Sequence, residues 1–351
     1  MPPVTARDNP DHVLDATLDP RSADLLGDAL AVVRALVPAW STVHRASSTV
    51  ITGGITNVLH RLDAPGKNAV LVRIYGPNTD VVIDRERENR IFASLSAAGF
   101  APPYLGRFHN GRVEGFLDGF RPLQPAEMGH ARWRRGIGTQ LAKLHHFAPP
   151  TPQPRTLETL RGWLTTARRV VFEGQAQAQH KALQLDPVAA RLDELEDHLN
   201  RHILPSGPAS ATRAVLAHND LLSGNVLVDD ATGDVRFIDY EYGDCGYAAF
   251  DLANHFCEHA GFDSNFATGF PTASARADCI SAYLGCAVED PEVVAFDRVV
   301  RFFVLVDHIW WAAWAVVQAR HSPIDFDFMG YAGLRLKGLQ HHEDAWGRWG
   351  S

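Results

Sequence analysis

Apolar positions first repeat at helical spacing at Leu26, Leu30, Val33 and Val37, which predicts a helix ending near Pro38. Residues 1–20 before it hold four prolines and several aspartates and predict a loosely ordered lead-in. Then the period shortens to two. Ser48 to Thr52 and Val58 to Leu62 are β-branched or alternating segments joined across Gly53-Gly54. Val70, Val72 and Ile74 alternate with Leu71, Arg73 and Tyr75 after a Pro65-Gly66 turn. A helix is predicted from Asp84 to Ala98, with Glu88, Phe92 and Leu95 on one side, Gly99 just past its end and Pro102-Pro103 beyond. A hairpin follows, Leu105 to Phe108 and Val113 to Leu117 around Asn110-Gly111. Residues 41–117 therefore read as a small antiparallel sheet carrying one main helix.

Beyond that point the helical period dominates, in Trp133 to His146 and in the series Val188, Leu192, Leu195, Leu199. The proline-rich stretch 149–154 predicts a loop between them. One β insertion interrupts the helices: Val226 to Val228, a turn over 229–234, then Val235 to Ile238. The expected fold class is α+β, with an extension and helix over 1–40, a small β-rich lobe over 41–117 and a large, mostly helical lobe over 118–351.

Composition changes this picture little. The chain has 351 residues, 46% hydrophobic and 21% charged, which excludes a disordered chain and allows a large core. Lys and Arg number 33 against 41 Asp and Glu, a net charge of −8, so a nucleic-acid partner is not expected. Cys245, Cys257, Cys279 and Cys286 lack metal or disulfide spacing and read as reduced structural thiols. The longest apolar run, Phe302 to Val317, is broken by Asp307 and His308 and falls short of the ~20 residues a membrane span needs. The N-terminus shows no signal-peptide pattern. A cytoplasmic protein without stable membrane insertion is the expectation.

Chemistry concentrates in His218-Asn219-Asp220-Leu221-Leu222-Ser223-Gly224-Asn225, followed by Ile238-Asp239-Tyr240-Glu241-Tyr242. Phosphoryl transfer from ATP needs a carboxylate to orient the attacking hydroxyl and hard oxygen ligands for Mg²⁺ on the phosphates. The spacing H-x-D-x-x-x-x-N, then a short hairpin ending in Asp, supplies those groups in kinase order. Taken alone, the octapeptide reads equally as a set of turn hydrogen bonds. Its place behind a β-rich lobe and ahead of Ile238-Asp239 tips the reading to function.

Four long segments extend this pattern: ITGGITNVL (51–59), VLVRIYGPNTDVVIDRERE (70–88), VLAHNDLLSGNVL with VRFIDYEY (215–242), and WWAAWAVVQARHSPIDFDFMGYAGLR (310–335). Through them the chain resembles the choline/ethanolamine kinase family, and most closely its ethanolamine kinase branch. The resemblance implies a protein-kinase-like bilobal fold, with ATP and Mg²⁺ as cofactors and a small amino alcohol as acceptor. Phosphorylation of ethanolamine, the first step towards phosphatidylethanolamine, is the expected reaction. It implies ATP contacts from Gly54, Thr56, Asn57 and Arg73, with Glu88 nearby, and adenine contacts from the backbone of Phe116 and Leu117. Asp220 is implied as the base, Asn225 and Asp239 as Mg²⁺ ligands, and Glu241 as a helper through water. Tyr242, Glu258, Trp311, Trp314 and Tyr331 are implied to line the amine pocket, with Asp220 also attracting the ammonium; carboxylates and aromatic faces both suit that charge. His218 is implied to brace the loop. The family also includes dimers.

Read without the resemblance, several of these residues have plainer uses. Gly53-Gly54 is a tight turn, Arg73 half of a surface ion pair, and the tryptophans core packing. Asp307, one turn before Trp311, reads as a helix-surface residue. None of the 17 histidines is assigned to a metal. Ser223-Gly224 stands where family members often carry a Lys before the Asn, which removes a cation near the phosphates. Leu222 and Ala260-Gly261 favour the ethanolamine branch. The alternatives are a choline kinase, another amino-alcohol or aminoglycoside phosphotransferase, or a non-catalytic kinase-like binding module.

Overall fold

The computed structural model describes residues 12–51, 57–77 and 79–350, which fall into two compact units dividing at Phe120/Arg121. The first unit is built on a six-stranded sheet of order β1-β5-β6-β4-β3-β2. Its strands are β1 (Val13–Leu14), β2 (Ser47–Ile51), β3 (Asn57–Asp63), β4 (Val70–Tyr75), β5 (Tyr104–Phe108) and β6 (Gly111–Gly115). All neighbours are antiparallel except β1, which adds in parallel to β5. That strand lies in the stretch expected as a loose lead-in. Helix α1 (Leu25–Leu36) also belongs to this unit.

The two faces of this sheet differ in chemistry. Val70, Val72, Ile74, Leu62 and Val113 form an apolar face that packs with Ala29, Leu30, Val33 and Leu36 of α1. Leu26, expected on that apolar stripe, instead points to solvent. The opposite face carries Arg73, Arg112 and Glu114, whose side chains bond one another and Glu88 of α2 (Arg85–Ala97). Asp84 caps α2 by accepting the Arg87 N–H, and Gly99 takes φ +72°, a conformation that glycine adopts without cost.

In the second unit, β7 (Arg121–Pro122) joins the β9–β10 hairpin (Val226–Val228 and Val235–Phe237), and β8 (Ala214–Ala217) pairs with β11 (Asp244–Tyr247). The rest is helical: α3 (Ala131–Leu144), α4 (Thr156–Arg169), α5 (Gly174–Ala182), α6 (Leu185–His198), the short α7 (Leu204–Ser206) and α8 (Ala209–Thr212), α9 (Ala248–Glu258), the short α10 (Phe266–Gly269), α11 (Ala273–Leu284), α12 (Pro291–His321) and α13 (Phe328–Trp346).

The apolar run that read as too short for a membrane span is the middle of the 31-residue α12. By length and composition that helix passes the test for a span, but 94% of its most apolar 18-residue stretch is buried in the structure. It packs against α4, α9, α11 and α13 as the core helix of the unit. All four cysteines are free thiols.

Candidate active site

The catalytic-type loop begins where β8 ends. Asn219 takes φ +63°, an uncommon left-handed conformation for a residue other than glycine, and its side chain donates to the Tyr242 carbonyl (2.9 Å). One face of α9 holds the loop. Asp251 accepts the backbone N–H groups of His218 (2.7 Å) and Asn219 (2.8 Å), and also a hydrogen from His145 Nε2 (3.0 Å). Asn254 accepts the Leu221 N–H (2.9 Å), while His255 Nδ1 donates to the Leu221 carbonyl (3.0 Å). Residues at i, i+3, i+4 and i+7 share a helix face, so Glu258 follows on the same side. Sequence reasoning missed Asp251, Asn254 and His255, although their helical spacing upstream of Glu258 was visible.

His218 is fully buried and donates from Nε2 to the Ile238 carbonyl (2.9 Å), bracing the segment that presents Asp239. Asp239 itself has φ +65° and lies beyond the end of β10, so Glu241 sits in a turn and not on a continuing strand as expected. The two carboxylates still come within 4.8 Å of each other. Asn225 donates both amide hydrogens to Asp220, to its carbonyl (2.8 Å) and to Oδ2 (3.0 Å). Its own Oδ1 is thereby turned away as an acceptor. An amide oxygen beside carboxylates is a hard-oxygen donor set that fits Mg²⁺.

The electrostatics of this loop are strongly acidic. Burial pushes the Asp220 carboxyl well above its usual range, and the charges of Glu258, Asp239 and Glu241 add to the effect. Glu258 is pushed up to about 7 by burial, an effect that Arg335 opposes and Asp307 reinforces. Asp251 shows the reverse outcome. Burial acts against its charge too, but the hydrogen bond and charge of His145 outweigh it and hold the group low.

Tyr242, Trp311 and Trp314 form one aromatic cluster. Trp314 Nε1 donates to the Tyr242 hydroxyl (2.8 Å), and the Trp311 ring stands edge-on to both neighbours at 5.7 Å and 5.2 Å. Trp163 of α4, missed in the sequence, extends it against Tyr242 and Trp310. Tyr331 connects to the cluster through Phe326, Phe328 and Trp314. Its hydroxyl accepts from Arg335 Nη1 (3.3 Å), which also donates to Glu258 (3.1 Å). Asp307 corrects the expectation of a surface position: it is fully buried and ion-paired to Arg335.

In the first unit, Gly54 and Thr56 lie outside the described residues. Asn57 opens β3 and accepts from Arg85 Nη2 (3.1 Å). Arg73 is not the surface cation of the plainer reading. It is 2% exposed and donates from Nε to Glu114 (2.9 Å), which Arg112 Nε also bonds (2.7 Å). Arg112 Nη1 then reaches Glu88 (2.5 Å), whose other oxygen takes Arg85 Nη1 (2.7 Å). Burial alone would raise Glu88, but Arg112, Arg85 and Arg73 hold it well below the usual carboxylate range. The Phe116 N–H is already donated to the Ala69 carbonyl (3.1 Å), and the Leu117 carbonyl accepts from Phe120 (3.4 Å). The Phe116 N–H is thus engaged within the first unit.

A carboxylate and a carboxamide locked together on a loop, followed by a second carboxylate behind a hairpin, define a phosphotransferase of the protein-kinase-like class. Comparison with known proteins narrows the class. The sequence profile of the family described as "Choline/ethanolamine kinase" matches residues 48–340, and the chain belongs to that family. A probable ethanolamine kinase of Arabidopsis thaliana is 35% identical over 297 residues, covering 81% of this chain and 76% of the relative. Ethanolamine kinase 2 of Homo sapiens is 33% identical over 321 residues, covering 89% and 80%. Among solved structures, an ethanolamine kinase of Plasmodium vivax superposes with a TM-score of 0.79 at 27% identity, covering 91% of this chain and 89% of that one. The fold is the two-lobed α+β kinase-like fold.

Proposed function

We propose that this protein transfers the γ-phosphoryl group of ATP to the hydroxyl of ethanolamine, giving phosphoethanolamine and ADP. The observation that carries this reading is that one face of α9 both grips the Asp220 loop and ends in Glu258. The loop that carries a carboxylate for a hydroxyl and the carboxylate for an ammonium are thus both tied to one rigid element. The named activity of the relatives supports the same acceptor.

In this reading Asn225 holds Oδ2 of Asp220, and Oδ1 accepts the hydrogen bond of the acceptor hydroxyl. As the hydroxyl oxygen bonds to the γ-phosphorus, the bond from phosphorus to the β,γ-bridging oxygen breaks. The hydroxyl proton passes to Asp220, and ADP leaves with the bridging oxygen. Asn225 and Asp239, with Glu241 beside them, are the residues that would hold a divalent cation. Such a cation supplies charge neutralisation on the β- and γ-phosphate oxygens. Glu258 and the aromatic cluster of Tyr242, Trp311 and Trp314 would take the ammonium end, where carboxylate charge and ring faces both attract a desolvated cation. A cytoplasmic setting is part of the reading, supported by the free thiols.

The test is ADP release by purified protein with ethanolamine, choline or no acceptor, with and without Mg²⁺, beside Asp220→Ala. Ethanolamine-dependent turnover that Asp220→Ala lowers by about 10²–10⁴-fold is expected. Preference for choline would keep the mechanism and overturn the acceptor; no turnover with either would overturn the reading.

A further inference from the structure

Arg335 belongs to none of the groups that touch the reacting atoms, yet it is almost fully buried (1% exposed) between two carboxylates. From Nη1 it donates to Glu258 Oε1 (3.1 Å), and from Nη2 to the carboxylate and the carbonyl of Asp307. The other carboxylate oxygen of Asp307 accepts from Asn254 Nδ2 (3.1 Å). Asn254 Oδ1 in turn accepts the N–H of Leu221, the residue after Asp220 (2.9 Å). Glu258, Arg335, Asp307, Asn254 and the catalytic loop thus form one unbroken hydrogen-bonded chain.

Two physical consequences follow. With both carboxylates ionised, one guanidinium between them leaves a single negative charge in a desolvated place, which a cation would offset. The planar fork of arginine also fixes what it holds: with Oε1 of Glu258 engaged, Oε2 is presented in one direction. Asn254 and Glu258 are four residues apart on α9, a rise of about 6 Å along a rigid helix. The carboxylate for the amine and the loop for the hydroxyl are therefore held apart at a set span.

Resting on the ethanolamine kinase reading, we propose that Arg335 and Asp307 are positioning residues that fix this span, and that the span selects acceptor length. A two-carbon amino alcohol fits between Glu258 and Asp220, and a three-carbon one does not.

The experiment compares 2-aminoethanol with 3-amino-1-propanol for wild type, Arg335→Lys and Glu258→Asp, with thermal unfolding recorded for each protein. Lysine keeps the charge but cannot bridge both carboxylates, so the ethanolamine KM should rise about tenfold while the KM for ATP stays within about twofold. The preference for the two-carbon acceptor, as a ratio of kcat/KM, should fall about fivefold or more. Glu258→Asp withdraws the carboxylate by one methylene and should shift preference towards the three-carbon acceptor. Unchanged ethanolamine KM and preference in a folded Arg335→Lys protein would overturn the inference and leave the kinase reading intact. So would an equal loss of turnover on both acceptors, the mark of a merely structural role. Should Arg335→Lys fail to fold, Glu258→Asp decides, and an unaltered preference in it overturns the inference. Wild type inactive on every amino alcohol would overturn the kinase reading and this inference with it.

Discussion

Each unit holds a cluster of charges, and the carboxylates of the two clusters are shifted in opposite directions. In the first unit Arg73, Arg85 and Arg112 share the carboxylates of Glu88 and Glu114. In the second, Asp220, Asp239, Glu241, Glu258 and Asp307 lie in one electrostatic neighbourhood with Arg335. The carboxylates respond accordingly. Glu88 and Glu114 are held low because the guanidinium charges outweigh burial, whereas Asp220 and Glu258 are raised by burial reinforced by like charge, and Asp307 by burial that outweighs Arg335 and its hydrogen bonds. Carboxylates that raise one another are relieved by a cation, here an ammonium or a divalent metal.

The largest expected effect tests that contrast with one chemical change made twice. Asp220→Asn should lower kcat by about 10²–10⁴-fold because the proton acceptor is gone. The same variant should unfold at a higher temperature than wild type in metal-free buffer, since the amide carries no charge to be desolvated beside Glu258, Asp239 and Glu241. Glu88→Gln should do the reverse to the fold. It leaves Arg112 and Arg85 facing a neutral amide, and loss of one partner of a buried ion pair costs about 3–5 kcal/mol. Denaturant unfolding of the two variants giving shifts of the same sign would break the comparison.

A smaller effect is set by Glu258 and has a definite pH window. Its folded-state value of about 7 lies above the ordinary 4.5. Between those values the folded protein keeps a proton that the unfolded chain has released, so the stabilisation present below 4.5 is lost as pH rises to 7. The loss is about 3 kcal/mol at most. Glu258→Gln has no such proton to lose. Its stability relative to wild type should therefore climb from pH 4.5 to 7 and level off above, measured without acceptor. A difference that stays flat across this window would show that Glu258 is not desolvated as described. The cost has a use: the ionised carboxylate is the form that binds an ammonium, so kcat/KM for ethanolamine should rise through about pH 7.

How much of this was legible in the chain depends on how far apart the partners lie. Asp220, Asn225 and Asp239 sit within 20 residues of one another, so their spacing alone exposed the loop and its hairpin. The aromatic positions Trp311 and Trp314 were visible as a helical pair. The groups that hold the site in place were not. Asp251 reaches back 32 and 33 residues to the loop, and Arg335 reaches 77 residues to Glu258. Asp307 misled because a charge inside an apolar run reads as an interruption, whereas here it is the acid that a buried arginine requires. Arg73 misled for a related reason. Alternation along β4 correctly put it opposite Val72 and Ile74, but that opposite face carries its own buried layer, in which Arg112 and Glu114 bond Glu88 of α2. The left-handed backbone of Asn219 and Asp239 carried no signal at all, since neither position is a glycine.

The smallest effect is a control on the idea that losing a partner charge matters only where water is excluded. Arg201 and Asp197 form an i, i+4 pair, 2.7 Å apart, on side chains 72% and 53% exposed. Acid before base is the favourable order on a helix, yet such exposed pairs contribute only about 0.3–0.5 kcal/mol. Water already screens each charge, so removing one leaves its partner solvated. Arg201→Ala should therefore change stability by less than about 0.5 kcal/mol and leave the ethanolamine KM untouched. A loss approaching that of Glu88→Gln would mean that ion pairs act here by number and not by burial. The opposite signs expected for Asp220 and Glu88 would then need another cause. A near-zero result, beside shifts of opposite sign in the two buried clusters, ties the charge chemistry of each unit to desolvation.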